Sequence, residues 1–399
     1  MAAEQSSKPL DGIHVLELGR FIAGPYCGLL MGDMGAEVIK VEPTDGEFVR
    51  TLEPTKGSDS LYFSIFNRSK KSITLNLRSK EAKEDILPKL FQWADVVIQN
   101  FRPGVMEKMG FPFSRLQEIN SGIILVSISG FGQKGPFSSK VCFDAIAQAM
   151  GGLMDLTGPP DGPPQMCGTF IADYLCGVYA AYGTMLALYN REKTGKGQEI
   201  DLALLDSIFS VLLTAVPQYL LFGKEMTRIG NLDRYASPAN CYKAIDGYIY
   251  ISSGTEVFWE RIVKVLGKED LLSDPRFATA NSRLENHATI DRMLEEWTCT
   301  KTRQEIEDAI SPAGIPCGPV LKISEVVEHP YFKQREQIVT VDHPTFGKLP
   351  LPGIPFKLSE TPGGIEAPPP LLGSSNNEVY AQLGYNQEQI EELKEKEII

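Results

Sequence analysis

The side chain with the most chemistry to offer is Asp173, which opens the run Tyr174 to Asn190, a stretch without a charged residue. Arg191, Glu192 and Lys193 end that run, and TGKG then turns the chain into QEIDLAL. Small residues at Gly177, Ala180, Ala181 and Gly183 in an otherwise apolar run predict a helix buried on all sides within a large core. A lone carboxylate at the head of such a helix feels the positive end of the peptide dipole and stays ionised. Ionised and partly desolvated, it can act as a nucleophile on an activated acyl group. Residue type supports a second role equally well, because Asp is among the preferred helix-capping residues. The stretch alone leaves both roles open, capping being the commoner one.

A chain of 399 residues holds two domains, or one large domain with an insertion. With 43% hydrophobic and 23% charged residues it has an ordinary soluble globular composition. The net charge of −12 argues against nucleic acid, whose phosphates demand a basic surface, although a few local Lys or Arg can still hold a small anion. The 7 Cys (27, 142, 167, 176, 241, 299 and 317) are scattered with no C-x-x-C pair, which predicts reduced core thiols. None of the 4 His is spaced like a ligand pair, so no metal site is expected. MAAEQSSKPLDG lacks the apolar segment of a signal peptide, and the apolar run after Asp173 falls short of the roughly twenty residues of a membrane span. The expectation is a cytoplasmic protein without membrane contact.

The elements that must position Asp173 follow from periodicity. GIHVLEL (12–18) reads as a strand, GRFIAGP as a loop with Pro25 in the first turn of a helix reaching about Met34, and AEVIKVE (36–42) as a second strand. Two strands joined by a helix make a right-handed βαβ unit. Glu42 ends the second strand, where dinucleotide enzymes bind ribose, but the first turn lacks G-x-G-x-x-G: Arg20-Phe21-Ile22-Ala23 separate Gly19 from Gly24. Without a phosphate-cradling turn, NAD is not expected. ITLNL, a helix from Lys80 to Trp93, ADVVIQNF (94–101) and SGIILVSISGFG (121–132) continue the alternation and predict an open α/β sheet. Ligands of such sheets lie beyond the carboxyl ends of strands, here the 19–24, 99–104 and 130–136 loops.

FDAIAQAMGGL (143–153) has helical spacing, and 206–222 is apolar and helical with Pro217 expected to kink or break it. From 225 to 325 the chain is more polar. YKAIDGYIYISS there reads as a hairpin turning at Asp246-Gly247, and amphipathic helices follow, which together suggest a smaller α+β domain. Residues from 326 are rich in Pro and Gly, expected as a long connection over another surface. A polar final helix, NQEQIEELKEKEII, reads as a solvated charged face. There is no internal repeat.

The order and spacing of several pieces resemble the class III coenzyme A transferases, which include formyl-CoA transferase and carnitine CoA-transferase. These pieces are PLDGIHVLEL with AGP, GAEVIKVE, NRSKKSITLNL, ADVVIQNFRPG, SISGFGQKGP, FDAIAQAMGGLM, IADYLCG, KTGKGQEIDLALLDS, GIPCGPV and HPTFGKL. The resemblance implies a Rossmann-like open parallel sheet in a large domain built from N- and C-terminal parts, with a smaller α+β domain, in an interlocked homodimer. The large domain would take 1–224, the small domain 225–325, and 326–399 would be the linker and the part returning to the large domain. Asp173 matches the family nucleophile, which forms an aspartyl anhydride and then an aspartyl-CoA thioester. Coenzyme A and acyl-CoA are then substrates alongside a carboxylic acid, with no prosthetic group.

Position by position, the resemblance puts Ile22 and Ala23 of the first loop at the coenzyme. Leu75, Asn76, Leu77 and Arg78 match an adenine-contacting strand end, and Asn100, Phe101 and Arg102 the next loop. Lys108 stands where an Arg commonly meets phosphate, and Cys142, Phe143 and Asp144 match the segment along the pantetheine arm. For the apolar members the competing use is core packing, whereas Arg78 and Lys108 could pair with anionic phosphate. Backbone in the 252–254 segment is the candidate oxyanion site. Ile22 replaces a polar amide of formyl-CoA transferase and that enzyme's glycine run is absent, so small dicarboxylic, aryl and branched acids all stay open as acceptors. The same fold houses α-methylacyl-CoA racemases, which carry His before the Asp matching Asp144; Phe143 here removes that base. A non-catalytic CoA-binding protein is the other alternative, and Asp173 speaks against it.

Overall fold

The computed structural model describes residues 8–57 and 59–399; MAAEQSS, read above as part of a leaderless N-terminus, lies outside the described residues. The chain divides into two compact units. One runs to Leu153 and adds Met166–Thr214 and Tyr331–Ile399; the other takes Met154–Gln165 and Ala215–Pro330.

The first unit is built on six short strands: β1 His14–Glu17, β2 Glu37–Glu42, β3 Lys71–Thr74, β4 Val96–Gln99, β5 Ile124–Ser129 and β6 Glu199–Ala203. They lie in the order β3-β2-β1-β4-β5-β6, every pair parallel. Parallel strands need crossovers, and helices supply them: α1 Ala23–Gly32, α2 Leu61–Phe66, α3 Leu87–Trp93, α4 Asp144–Met150 and α5 Ile171–Thr194, with α6 Leu204–Phe209 after β6. The sheet is covered on both faces, which is why its strands read as continuous Val/Ile/Leu runs. Successive residues alternate between the two cores. Val15, Val38, Val96, Ile98 and Val126 pack with Cys27 and Met31 of α1 and with Ala172, Cys176 and Ala180 of α5. Leu16, Ile39, Val97 and Leu125 pack with Leu87, Leu90 and Phe91 of α3, and with Tyr380, Ile390, Ile398 and Ile399 at the end of the chain.

The second unit carries a three-stranded antiparallel sheet, Cys317–Pro319, Gly247–Ser252 and Ala239–Ala244 in that order. The helices Glu256–Val265, His287–Thr298 and Arg303–Ile310 bury Trp259, Ile262, Leu294 and Ile306 with Tyr242, Ile249 and Ile251 of the sheet.

Several expectations are corrected. The hairpin turns one residue early, since Gly247 already pairs with Ala244 and leaves Ile245-Asp246 as the loop. Asp246 instead anchors a helix start, accepting from the Arg303 N–H at 2.8 Å. Pro217 breaks nothing: the 206–222 run divides before it, and Pro217 sits in the first turn of the helix Ala215–Phe222, where its missing N–H costs little. The long C-terminal connection contains a hairpin, Ile338–His343 with Gly347–Pro352. The final helix Gln387–Glu395 is charged outside, as read, but buries Ile390.

The largest correction concerns α5. It spans 24 residues, so it is long and apolar enough by composition to cross a membrane, and 39% of its most apolar window is buried. Ala172, Cys176, Gly177, Ala180, Thr184 and Ala187 are buried on one face, while Val178, Tyr182, Leu186 and Tyr189 are exposed. Of the small residues read as buried, Gly177 and Ala180 are, on the side where the backbones of α1 and α5 approach, whereas Ala181 and Gly183 are only half-buried. A methyl group at Gly177 would stand 3.0 Å from the Ala23 carbonyl oxygen.

Candidate active site

The strand order reverses between β1 and β4, and the chain leaves these neighbours in opposite directions. That leaves a crevice beyond their carboxyl ends. A cavity of about 660 Å³ opens there. It is lined by Arg20–Ala23 after β1, Asn100–Pro103 after β4, Ser129 and Gly130 at the end of β5, the 140–145 segment, Tyr62, Phe170 and Asp173.

Asp173 is the third residue of α5, so it does not cap the helix; Phe170 holds the cap position and makes no side-chain cap bond. The cap comes from α4. Asp144 Oδ1 accepts from the Ala172 N–H at 2.7 Å and from the Asp173 N–H at 3.3 Å, satisfying two donors that a helix start leaves orphaned. Its other oxygen accepts from Gln148 Nε2 at 2.6 Å, and Gln148 Oε1 accepts from the Cys167 N–H at 2.9 Å. Both Asp144 and Gln148 are fully buried. With the N-terminus of α5 occupied by a neighbour's carboxylate, the Asp173 side chain is directed into the cavity.

The electrostatics also differ from the lone-carboxylate picture. Burial, and then the charge of Asp144, raise the Asp173 carboxyl from its ordinary range to about 7. These two effects outweigh the helix dipole, which falls off within a turn. The same surroundings push Cys142 up to about 11 and Tyr62 up to about 12, burial leading in both and the Asp173 carboxylate next. Cys142 is therefore a thiol at neutral pH and a poor nucleophile.

Of the residues singled out from the sequence, Ile22, Ala23, Asn100, Phe101, Arg102, Cys142, Phe143, Asp144 and Asp173 line this one cavity. Asn100 also fastens the first loop, its amide pairing with both the N–H and the C=O of Arg20 at 2.8 and 2.6 Å. Leu75, Asn76, Leu77, Arg78 and Lys108 do not line it. The Leu75 side chain is packed in the core, leaving only its backbone to any ligand. Asn76 donates its N–H to the Ile398 carbonyl at 2.7 Å, and the Arg78 and Lys108 side chains are exposed.

Sequence reading passed over Tyr62, Phe170, Arg20, Phe21 and Lys140, all on the cavity wall. Arg20 and Phe21 lie in a loop marked from its place after a strand. Tyr62 gave no local sign: Ser60 Oγ visibly caps α2 by accepting from the Tyr62 N–H at 3.0 Å, but the direction of the ring depends on packing against Phe66 and Phe170. Among the described residues no group of three or more His, Cys, Asp or Glu is placed to hold a metal ion.

Comparison with known proteins places nearly the whole chain in one family. The model of CoA-transferase family III matches residues 10–376. Succinyl-CoA--D-citramalate CoA-transferase of Chloroflexus aurantiacus is 36% identical, with 100% of both chains covered. Formyl-CoA:oxalate CoA-transferase of Streptomyces coelicolor is also 36% identical, over 99% of this chain and 100% of that protein. Among solved structures, a CAIB/BAIF family protein from Brucella suis superposes with a TM-score of 0.85 at 36% identity, covering 94% of this chain and 100% of that one. The chain belongs to CoA-transferase family III and is a class III CoA-transferase.

Proposed function

We propose that the protein moves coenzyme A from an acyl-CoA to a free carboxylic acid by covalent catalysis on Asp173. The supporting observation is a carboxyl group released from capping duty by Asp144 and turned into the cavity at the sheet's switch point. In the first step an Asp173 oxygen attacks the thioester carbonyl, the C–S bond breaks, and CoA leaves as the thiolate. The thiolate then attacks the aspartyl carbonyl of the resulting anhydride, expelling the donor's carboxylate and leaving an aspartyl-CoA thioester. The acceptor's carboxylate attacks that thioester to form a second anhydride and again frees the thiolate. Attack of the thiolate on the acceptor's carbonyl yields the new acyl-CoA and returns Asp173. Anhydride and thioester are similarly activated, so no ATP is spent.

Ile22, Ala23, Asn100, Phe101, Arg102, Cys142, Phe143 and Asp144 are the candidate coenzyme contacts at the cavity, with Arg20, Arg102 and Lys140 available to phosphate. Arg78, Lys108 and the neighbouring strand end are reserved for the nucleotide end, outside the cavity wall. The 252–254 backbone is not retained as oxyanion donor: the Ser252 and Ser253 N–H groups already donate to the Pro316 and Pro238 carbonyls at 2.9 and 2.7 Å. Phe143 packs edge-on against Phe21 at 5.6 Å and supplies no imidazole, which favours transfer over α-proton exchange.

The working form is a homodimer in the cytoplasm, interlocked as the family resemblance implies. Support comes from the exposed apolar side chains Val178, Tyr182, Leu186 and Tyr189 of α5, with Ile146 and Met150 on α4 and Phe209 on α6 exposed as well, side chains of the kind that mark a protein–protein contact when they cluster. The deciding experiment is an acceptor screen read by mass spectrometry, with succinyl-CoA and acetyl-CoA as donors against a panel of carboxylic acids. Trapping with hydroxylamine during turnover should convert position 173 to a hydroxamate; an unmodified peptide there would remove the nucleophile.

A further inference from the structure

The loop that leaves β1 and enters the cavity is held at three consecutive residues by three side chains from elsewhere in the fold. The buried Lys40 ammonium of β2 donates to the Gly19 carbonyl at 2.9 Å. Asn100 brackets the Arg20 peptide from the end of β4. Glu47 Oε2, from the segment after β2, accepts from the Phe21 N–H at 3.3 Å. Phe21 lies at φ 63, in the left-handed region. For a bulky side chain that conformation costs on the order of 1–3 kcal/mol and persists only where surrounding groups enforce it. Its consequence is local: the Phe21 ring meets the Phe143 ring edge-on at 5.6 Å, and both stand in the cavity wall.

Glu47 is itself immobilised. It is buried, and its second oxygen lies 2.9 Å from Lys40 Nζ. Lys40 also pairs with Glu17 at 3.0 Å, and the other Glu17 oxygen is 2.8 Å from Lys70. Buried ion networks of this kind add little stability over well-packed apolar side chains.

We propose that Glu47 is a positioning residue of the acyl-CoA site, clamping Phe21 in its left-handed conformation and so setting the Phe21–Phe143 wall along which the thioester arm lies. This inference rests on the CoA-transfer reading. Glu47→Ala removes the acceptor, whereas Glu47→Gln keeps an oxygen at the same reach. In the full-length protein, Glu47→Ala should raise KM for acetyl-CoA by roughly tenfold, the effect of losing one hydrogen bond to a charged group, with kcat changed by less than about twofold. Glu47→Gln should rescue most of that loss. Glycine occupies the left-handed region without strain and needs no clamp, so in a Phe21→Gly background Glu47→Ala should add less than about twofold.

A merely structural Glu47 would lower Tm without separating KM from kcat and would add its full factor in the Phe21→Gly background; that result overturns the clamp. Should Glu47→Ala not fold, hydrogen-exchange mass spectrometry of the wild-type 18–23 peptide decides: slow exchange supports the clamp, and exchange at open-loop rates overturns it. A wild type that neither binds nor transfers from acetyl-CoA or succinyl-CoA sinks the functional reading and this one together. Transfer by the wild type with an additive mutant pair sinks the clamp alone.

Discussion

At the scale of single residues, the site turns on two carboxylates doing different work. Asp144 is consumed by hydrogen bonds to the start of α5, and Asp173 is left with a raised proton affinity. Asp173→Asn should abolish transfer while leaving acetyl-CoA affinity within about threefold, because a uniform binding contribution is not what the nucleophile supplies. The carboxylate is the reactive form, so kcat/KM for the donor should climb as pH rises through about 7. Asp144→Asn keeps an oxygen acceptor at the helix start but removes the charge, so this profile should move to lower pH; an unmoved profile would refute the coupling.

The sign for stability is opposite. The folded value of Asp173 lies near 7, above its ordinary 3.8, so the folded state binds the extra proton between those values. Stability is lost as pH rises across that window and the loss is complete above it. Thermal melts should therefore find Asp173→Asn more stable than wild type, by a margin that widens between about pH 4 and pH 7.

At the scale of elements, α1 and α5 approach through small residues, and buried ions lie close behind α1. A methyl group at Gly28 of α1 would fall 2.0 Å from Glu17 Oε2, inside the Glu17–Lys70 pair. Gly28→Ala should destabilise the protein by about 3 kcal/mol or more, since it both overpacks the contact and breaks a buried ion pair. Gly183→Ala on α5, whose added methyl meets only ordinary contacts at 3.5 Å, is the control and should be near neutral in a urea titration. Asp144→Ala removes the cap of α5 and should cost about 1–2 kcal/mol in the same measurement.

At the scale of the whole molecule, the exposed stripe Val178, Tyr182, Leu186 and Tyr189 is the feature a lone chain does not account for. Sedimentation or light scattering should find a dimer for the wild type and monomer or aggregate for a Tyr182→Glu, Leu186→Glu variant. A monomeric wild type would count against the homodimer. The acidic balance of −12 agrees with a partner that is another copy of the chain or a small molecule rather than a polyanion.

The sequence by itself determined what depends on near neighbours along the chain. Branched runs became strands, Pro25 sits in the first turn of α1, and Asp173 stands at the head of a long apolar helix because periodicity and capping rules act within a few residues. It also marked the 19–24 and 99–104 loops, since chain direction in a parallel sheet puts strand ends at the ligand side. Only the tertiary structure decided which loops meet. The reversal between β1 and β4 brings Arg20 and Asn100 together across 80 residues, and α4 delivers Asp144 to a helix 28 residues further on. Proton affinity belongs to the same class, because it is set by burial and by charges near in space, neither of which has a fixed spacing in sequence. That is why Asp173 read as a lone ionised carboxylate and proved to be one of a pair.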